Sequence, residues 1–348
     1  MKIGFVVNNV LTEKANFTTT RLAMVATKLG HEAWILGVSD FVYAPDGSIH
    51  ANARSVKDTK HKTLDTYLAE IQGDEAIVKS IDAGALDVLM LRNDPSEETA
   101  ERAWAQTPGI LFGQLAIRQG VIVLNDPANL ANAINKTYFQ HFPEVVRPRT
   151  CISHNAEDIK NFVAEQNGQA IIKPLQGSGG TNVFLVRDTD TGNMNQMIDA
   201  VLRDGYCIAQ EYLPAAQEGD VRLFVMNGRP LQKDGKYAAF RRVNKTGDIR
   251  SNMHTGGESE PAEIDDDALE LVKMIRPKLL ADGMFLVGLD IVKDKLMEIN
   301  VFTPGGLGSA EAATGVDFAE VVIHELESKV SFKKHYGEHI SNVQIATM

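Results

Sequence analysis

The chain has 348 residues and a formal net charge of -11, from 35 Lys and Arg against 46 Asp and Glu, with 44% hydrophobic and 23% charged residues. That length suggests roughly two domains with ample material for a core, and the balance excludes a disordered tail, a collagen-like rod and a coiled coil. The acidic surplus argues against a general nucleic-acid binder, so an anionic ligand would need a local basic cluster.

In chain order, Ile3 to Val7 is a continuous apolar run, as in a strand buried on both faces. After the polar loop from Asn8 to Phe17, Leu22, Val25, Ala26 and Leu29 fall at helical spacing, with Thr18 or Thr19 as the expected cap and Gly30 closing the helix. Ala33 to Gly37 reads as the next strand. Residues 41–62 read as a loop or short hairpin, and 64–80 as a helix. Asp87 to Arg92 and Val121 to Leu124 are further buried strands. Alternating strands and helices imply a parallel α/β sheet. A dinucleotide-binding reading is weak, because no GxGxxG follows the first strand.

Beyond residue 125 the texture changes. Residues 127–140 look helical, and Pro143 and Pro148 then break the chain. Strands are expected at 170–174, 183–186, 206–212, 221–226, 236–243, 286–292 and 296–300. A helix near 265–282 should be kinked or interrupted by Pro277. Asp317 and Glu320 form a capping-box pattern opening a last helix to about Lys329, and the pattern leaves 331–348 unplaced. Cys151 and Cys207 lie in no metal spacing and flank apolar residues, so they read as small buried hydrophobes in a reducing compartment. Met1 to Val7 is too short for a signal peptide and no apolar run reaches membrane-spanning length, so the expected location is cytoplasmic.

Four segments carry chemistry. Lys173 precedes a glycine turn, Gly177-Ser178-Gly179-Gly180, between two strands. Such a turn is either an ordinary hairpin or a flap whose bare N–H groups close over phosphates. In Val287 to Val301, alternation places Asp290, Glu298 and Asn300 on one face and Val287, Leu289, Ile291, Met297, Ile299 and Val301 on the other. A three-residue turn at Lys293-Asp294-Lys295 would set Asp290 opposite Glu298. The face is then either a Mg²⁺ site of oxygen ligands or a solvated edge. Arg222 lies on the polar face of a strand, and Arg241, Arg242, Lys245 and Arg250 follow in a loop ending near His254 and Gly257. This cluster either stabilises transferring phosphoryl charge or is solvated. His254 reads as a surface residue. Gln210 to Pro214 either leaves a sheet or offers partners to an adenine and ribose.

In this order and spacing, these segments resemble the ATP-grasp enzymes, and most closely the prokaryotic glutathione synthetase family. The matching stretches are Leu91-Arg92-x-Asp94-Pro95, Val123-Leu124-Asn125-x-Pro127, Asn135-Lys136, Ile172 to Gly180, Tyr212 to Ala215, Gly219-Asp220-x-Arg222, Arg242 to Arg250 with Asn252, Gly256 and Gly257, and Val287 to Val301. The resemblance implies an α/β fold with an N-terminal domain at 1–125 and an ATP-grasp unit at 126–330. That unit would divide into a lid at about 140–205 and a C-terminal subdomain at about 206–330, with a tail at 331–348.

By resemblance, Lys136 and Lys173 would hold the α- and β-phosphates of ATP under a lid formed by Gly177, Ser178, Gly179 and Gly180. Glu211, Tyr212 and Leu213 would line adenine and ribose, with Asp220 near the ribose. Asp290, Glu298 and Asn300 would bind two Mg²⁺, with Mn²⁺ as the alternative. Arg222 and Arg250 would act at the reacting centre. Arg92, Arg242, Asn252, Gly256, Gly257 and Thr303 would bind small-molecule peptide and amino-acid substrates. The implied assembly is a homotetramer or homodimer, with no nucleic acid or membrane partner.

The implied activity is ligation of γ-glutamylcysteine and glycine through an acylphosphate. Two segments depart from the family pattern. Arg92-Asn93-Asp94-Pro95-Ser96 stands for R-K-D-P-P, and Phe302 to Ser309 is glycine-rich, with Gly308 where the family has arginine. The rivals are therefore the same chemistry on another peptide or amino-acid pair, and a non-catalytic ATP-binding regulator.

Overall fold

The structure, a computed structural model, describes residues 1–177, 182–189, 191–243 and 258–348. The amino-terminal sheet contains β1 (Lys2–Val7), β2 (Glu32–Gly37), β3 (Phe41–Tyr43), β4 (Ile49–Ser55), β5 (Ile77–Asp82), β6 (Val88–Leu91) and β7 (Ile122–Leu124). Its order is β3-β4-β2-β1-β6-β7, with β5 on β4. β1 lies parallel to β2 and β6, and β6 parallel to β7. The apolar run of β1 serves two cores by alternation: Ile3, Phe5 and Val7 pack into one and Val6 into the other.

Helix α1 (Thr18–Lys28) ends on Gly30, whose φ of 84° suits glycine. Its start differs from expectation. Phe17 occupies the cap position and no side chain caps the helix. The two threonines are engaged elsewhere: Thr18 Oγ1 accepts from Leu307 N, and Thr19 Oγ1 from Arg92 Nε. The helix expected over 64–80 stops early, as α2 (Leu64–Gln72), at Gly73. The β-branched Ile77 and Val78 then open β5 instead. The sequence reading passed over α3 (Pro108–Arg118). The helix expected at 127–140 is fragmented. A single turn, α4 (Pro127–Leu130), capped by Asp126, gives way to 3₁₀ turns, and Asn135 restarts the chain by accepting from Thr137 N.

The second sheet has the order β10-β9-β11-β8, from β8 (Thr150–Ser153), β9 (Gln169–Pro174), β10 (Phe184–Arg187) and β11 (Cys207–Glu211). α5 (Ala156–Glu165) and α6 (Thr191–Leu202) cover one face through Ile159, Val163 and Ile198 against Ile172 and Ala209.

The third sheet runs β17-β16-β12-β18-β19, with β13 on β12. Its strands are β12 (Asp220–Met226), β13 (Arg229–Pro230), β16 (Ala239–Val243), β17 (Glu258–Glu260), β18 (Leu286–Val292) and β19 (Lys295–Asn300), beside a small pair, β14 (Gln232–Lys233) and β15 (Lys236–Tyr237). The strand expected over 236–243 is thus split at Ala238. α7 (Asp266–Ala281) runs through Pro277 uninterrupted. The hydrogen bond that proline forfeits falls on Lys273, whose side chain is exposed.

α8 (Leu307–Thr314) leads to α9 (Phe318–Tyr336), which Asp317 caps by accepting from Ala319 N and Glu320 N. α9 outruns the expected end at Lys329. The unplaced tail carries a further helix, α10 (Asn342–Thr347), opened by a capping box of Ser341 and Gln344. Asn342 docks this helix on β7, accepting from Val123 N at 2.9 Å and donating to Val123 O at 2.8 Å.

Asn125 joins the first sheet to the third. Its Oδ1 accepts from Phe285 N at 2.7 Å and Leu286 N at 3.0 Å, and its Nδ2 donates to Leu286 O and Val301 O. It is 5% exposed. Asn125→Ala orphans buried backbone groups on both strands and should lower unfolding free energy by about 3 kcal/mol or more, measured by urea titration.

Candidate functional site

The site is a cleft of about 890 Å³, its open mouth included, between the second and third sheets. Alternation on β9 and β11 decides which side chains face it. Lys173 pairs in register with Ile208 and Ile171 with Gln210, while Ile172 and Ala209 turn to the core under α5 and α6. Lys173 Nζ donates to Gln210 Oε1 at 3.0 Å. Lys136 enters from the 3₁₀ turn that Asn135 opens, and its Nζ donates to Gly177 O at 2.6 Å. Lys136, Lys173, Gly177 and Gln210 therefore form one wall. Burial, then the charge of Lys136, lowers the Lys173 ammonium to about 8, and Glu298 across the cleft opposes that shift.

Opposite them stands the β18–β19 hairpin. Asp290 pairs with Glu298 and Gly288 with Asn300, as the alternation implies. The turn differs. Val292 pairs with Lys295, leaving a two-residue turn at Lys293-Asp294 with Lys293 at φ 53°. A bulge at Met297 restores the register between Asp290 and Ile291. The bulge sends Leu296 into the core, fully buried, and frees Met297 to line the cleft. Glu298, Asn300 and Thr303 line it too. A Cβ at position 288 would sit 3.0 Å from Pro304 and 3.3 Å from Arg222, so glycine lets the strand lie close beneath the 304–305 turn.

Asp290 itself is turned to arginines. Arg222, directly across on β12, clasps it through Nε and through Nη2 at 3.0 Å, and Arg242 Nη2 approaches it at 2.7 Å. Arg242 also binds Asp220, its cross-strand partner. Burial alone would raise the Asp290 carboxyl, but Arg222 and Arg242 outweigh it and hold the group below its ordinary value. Burial would likewise lower Arg242, and Asp290 and Asp220 reverse that shift upward.

Asp220 thus belongs to this ion cluster rather than to the cleft wall. Glu211, Tyr212 and Leu213 also stand off the wall. Glu211 accepts from Arg149 N, Tyr212 Oη accepts from Gln217 Nε2, and Leu213 precedes a 3₁₀ turn. Arg92 lies beyond the cleft's end, donating to Thr19 Oγ1 and Pro304 O. Ser178, Gly179, Gly180, Arg250, Asn252, Gly256 and Gly257 lie outside the described residues. The sequence offers Gln210 as an adenine or ribose partner rather than as a partner of Lys173, and singles out neither Ile208 nor Met297. Alternation from Lys173 would have found Gln210 and Ile208, but the bulge at Met297 left no sequence signal.

Among the described residues, no group of three His, Cys, Asp or Glu side chains is arranged to hold a metal ion. Glu298 and Asn300 nevertheless carry side-chain oxygens two residues apart on one strand face, and Asn300 Nδ2, an N–H donor without a partner among the described residues, suits an acceptor such as a phosphate oxygen beside them. That donor set fits a hard divalent cation whose other ligands come from phosphate and water. Cys151 and Cys207 are free, and burial pushes the Cys207 thiol up to about 12, far from thiolate chemistry.

Comparison with known proteins gives a consistent result. The family model of the prokaryotic glutathione synthetase N-terminal domain matches residues 1–131, and that of its ATP-grasp domain residues 135–315. The chain is 30% identical to the glutathione synthetase of Gloeobacter violaceus over 326 residues, covering 93% of this chain and 95% of that one. It is 32% identical to the glutathione synthetase of Agrobacterium fabrum over 309 residues, 86% and 89% of the two chains. A solved D-cycloserine synthetase matches with a TM-score of 0.60 at 13% identity, covering 93% of this chain and 99% of that one. The ATP-grasp ligase PsnB, solved with a minimal precursor, Mg and ADP, matches at 0.57 and 18% identity over 94% and 98%. These structural likenesses establish the fold.

The lowered Lys173 group gives a pH signature. The folded amine is charged below about 8 and neutral above it, whereas its ordinary value is 10.5. Affinity for inorganic tripolyphosphate should weaken above pH 8 by up to about tenfold per unit relative to Lys173→Met, by titration calorimetry. Parallel profiles for the two proteins would contradict the assignment.

Proposed function

The chain belongs to the prokaryotic glutathione synthetase family and is an ATP-dependent ligase, and we propose that it joins γ-glutamylcysteine to glycine in the cleft between its second and third sheets. The observation that carries this reading is the opposition of Lys136, Lys173 and Gln210 to Glu298 and Asn300 across one cleft. Cations on one wall and oxygen ligands on the other suit a metal-bound polyphosphate.

The two lysines take the α- and β-phosphates, and Gly177 opens the lid over them. Ile208, Met297 and Ile299 offer an apolar seat to the adenine, with Glu211, Tyr212 and Leu213 at its rim. The donor carboxylate attacks the γ-phosphorus, and the bond to ADP breaks to leave an acylphosphate. The acceptor amine then attacks the acyl carbon and phosphate departs, leaving an amide. Such chemistry asks for positioning and charge neutralisation rather than a nucleophilic side chain.

The ATP-grasp fold implies divalent metal use. Glu298 and Asn300 would hold the ion, and Asp290, the third oxygen ligand expected for two Mg²⁺, would have to be released by Arg222 and Arg242 to join them. When bound, the ion neutralises phosphate charge. Arg222, Arg242 and Arg250 stabilise the reacting centre or the substrate carboxylates, and the segment carrying Asn252, Gly256 and Gly257 covers the acceptor. The protein works as a cytoplasmic homo-oligomer on small-molecule substrates. No helix among the described residues is long and apolar enough to cross a membrane.

The test is phosphate release by the purified protein with ATP, Mg²⁺ and γ-glutamylcysteine, with and without glycine. Release that requires glycine supports the reading. Release only with another amine acceptor moves the substrate assignment. Glu298→Gln should cut kcat by at least about a hundredfold with an unchanged Tm, because its carboxylate is exposed to the cleft. Asp290→Ala is a poorer probe: it strands two buried arginines, at a cost of about 3–5 kcal/mol in stability.

A further inference from the structure

Beside the cleft's end, the half-buried Glu13 and the buried Arg92 carry opposite charges that do not touch. The loop between β1 and α1 places Glu13 next to Arg92, which follows β6. Glu13 Oε2 is enclosed and has no hydrogen-bond partner among the described residues. Burial raises the Glu13 carboxyl to about 7, with Arg92 lowering it and Glu97 raising it. Arg92 is 4% exposed, and burial lowers it to about 10, with Glu13 as the opposing acid. Among the described residues, neither makes an ion pair within 4 Å.

Both are held in place. Arg92 Nε donates to Thr19 Oγ1 at 3.3 Å and Nη2 to Pro304 O at 3.0 Å. Gln72 Nε2 donates to Val10 O and Glu13 O, and Thr20 Oγ1 to Lys14 O, pinning the loop. The two charges are therefore kept apart by structure. An enclosed carboxylate without a partner is costly unless something completes it. A ligand bearing an ammonium and a carboxylate on one carbon would complete both at once. The uncapped start of α1, where Thr19 stands, also favours a carboxylate there. Asp94, Pro95, Ser96 and Thr303, chain neighbours of Arg92 and Pro304, line the end of the cleft.

We propose that Glu13 and Arg92 together hold the zwitterionic α-amino-acid end of the donor, Glu13 taking its ammonium and Arg92 its carboxylate. This rests on the ligase reading above and adds Glu13 as the residue that demands a free α-amino group. Arg92 and Glu97 are the charged groups facing Glu13. Glu13 pairs an ammonium best when ionised, so the donor KM falls as pH rises through about 7.

The experiment compares γ-glutamylcysteine with glutarylcysteine, the same donor without its α-amino group, in wild type and Glu13→Gln. Wild type should favour the amino donor by about a hundredfold or more in kcat/KM. Glu13→Gln should raise the KM for γ-glutamylcysteine about tenfold to a hundredfold, flatten its pH dependence and leave glutarylcysteine and ATP unaffected. Its Tm at pH 8 should hold or rise, since a buried charge has gone. Equal loss on both donors marks a structural role and overturns the proposal, as does an unchanged KM for γ-glutamylcysteine. If wild type turns over no γ-glutamyl donor, the ligase assignment fails and takes this one with it. If wild type is active and Glu13→Gln is indifferent, only the Glu13 proposal falls.

Discussion

The third sheet is organised around four buried charges on three neighbouring strands. Asp220 and Arg222 on β12 face Arg242 on β16 and Asp290 on β18, each cross-strand pair in direct register. None exceeds 9% exposure. Two positive and two negative groups cancel, but only while all four are present, because loss of one leaves a buried charge unpaired. Sliding any of these strands by one residue would turn its charges to the opposite face. The cluster therefore pins β18, and β18 sets where β19 presents Glu298 and Asn300. The positions of Glu298 and Asn300 in the cleft therefore depend on a register that ion pairing holds.

The same cluster revises how the positive site is composed. In a chain of net charge -11, Lys136, Lys173, Arg222, Arg242 and Arg250 would form one basic pocket if they converged. The structure divides them. Lys136 and Lys173 reach the cleft, while Arg222 and Arg242 spend their charge on Asp290 and Asp220. Arg250 lies outside the described residues. Among the described residues, the positive charge lining the cleft thus comes from two adjacent lysines. Burial, and after it the charge of Lys136, is what lowers Lys173.

Much of this was legible in the sequence because it depends on local period. The apolar run at Ile3 to Val7 is a buried strand, and alternation alone places Asp290 opposite Glu298. What escaped depends on contacts distant in sequence. Thr18 and Thr19 look like caps, yet Leu307 and Arg92 claim their hydroxyls. Asn125 reads as a strand exit, yet it bonds backbone more than 150 residues away. The Met297 bulge compensates for a turn one residue shorter than expected, and nothing in a period-two pattern records it. Glu13 looks like a loop carboxylate until Arg92 and the α1 start are brought against it.

The glycine-rich segment after β19 shows how a departure from the family pattern can have a packing cause. Gly306 adopts φ 99°, and a Cβ there would lie 2.5 Å from the ring of Phe240. At Gly308 a Cβ would meet Arg21 Nη2 at 2.9 Å. Arg21, from α1, fills that space and forms an ion pair with Glu311 on α8. A side chain at position 308 would therefore need the flexible end of Arg21 to move aside. Positive charge persists beside position 308, but it comes from another element and is already neutralised. The carbonyls of Pro304 and Gly305 turn instead to Arg92 and Arg222. One short turn thereby links the arginine beside Glu13 to the arginine beneath the β18–β19 hairpin. Any change in its backbone would be felt at both ends of the cleft.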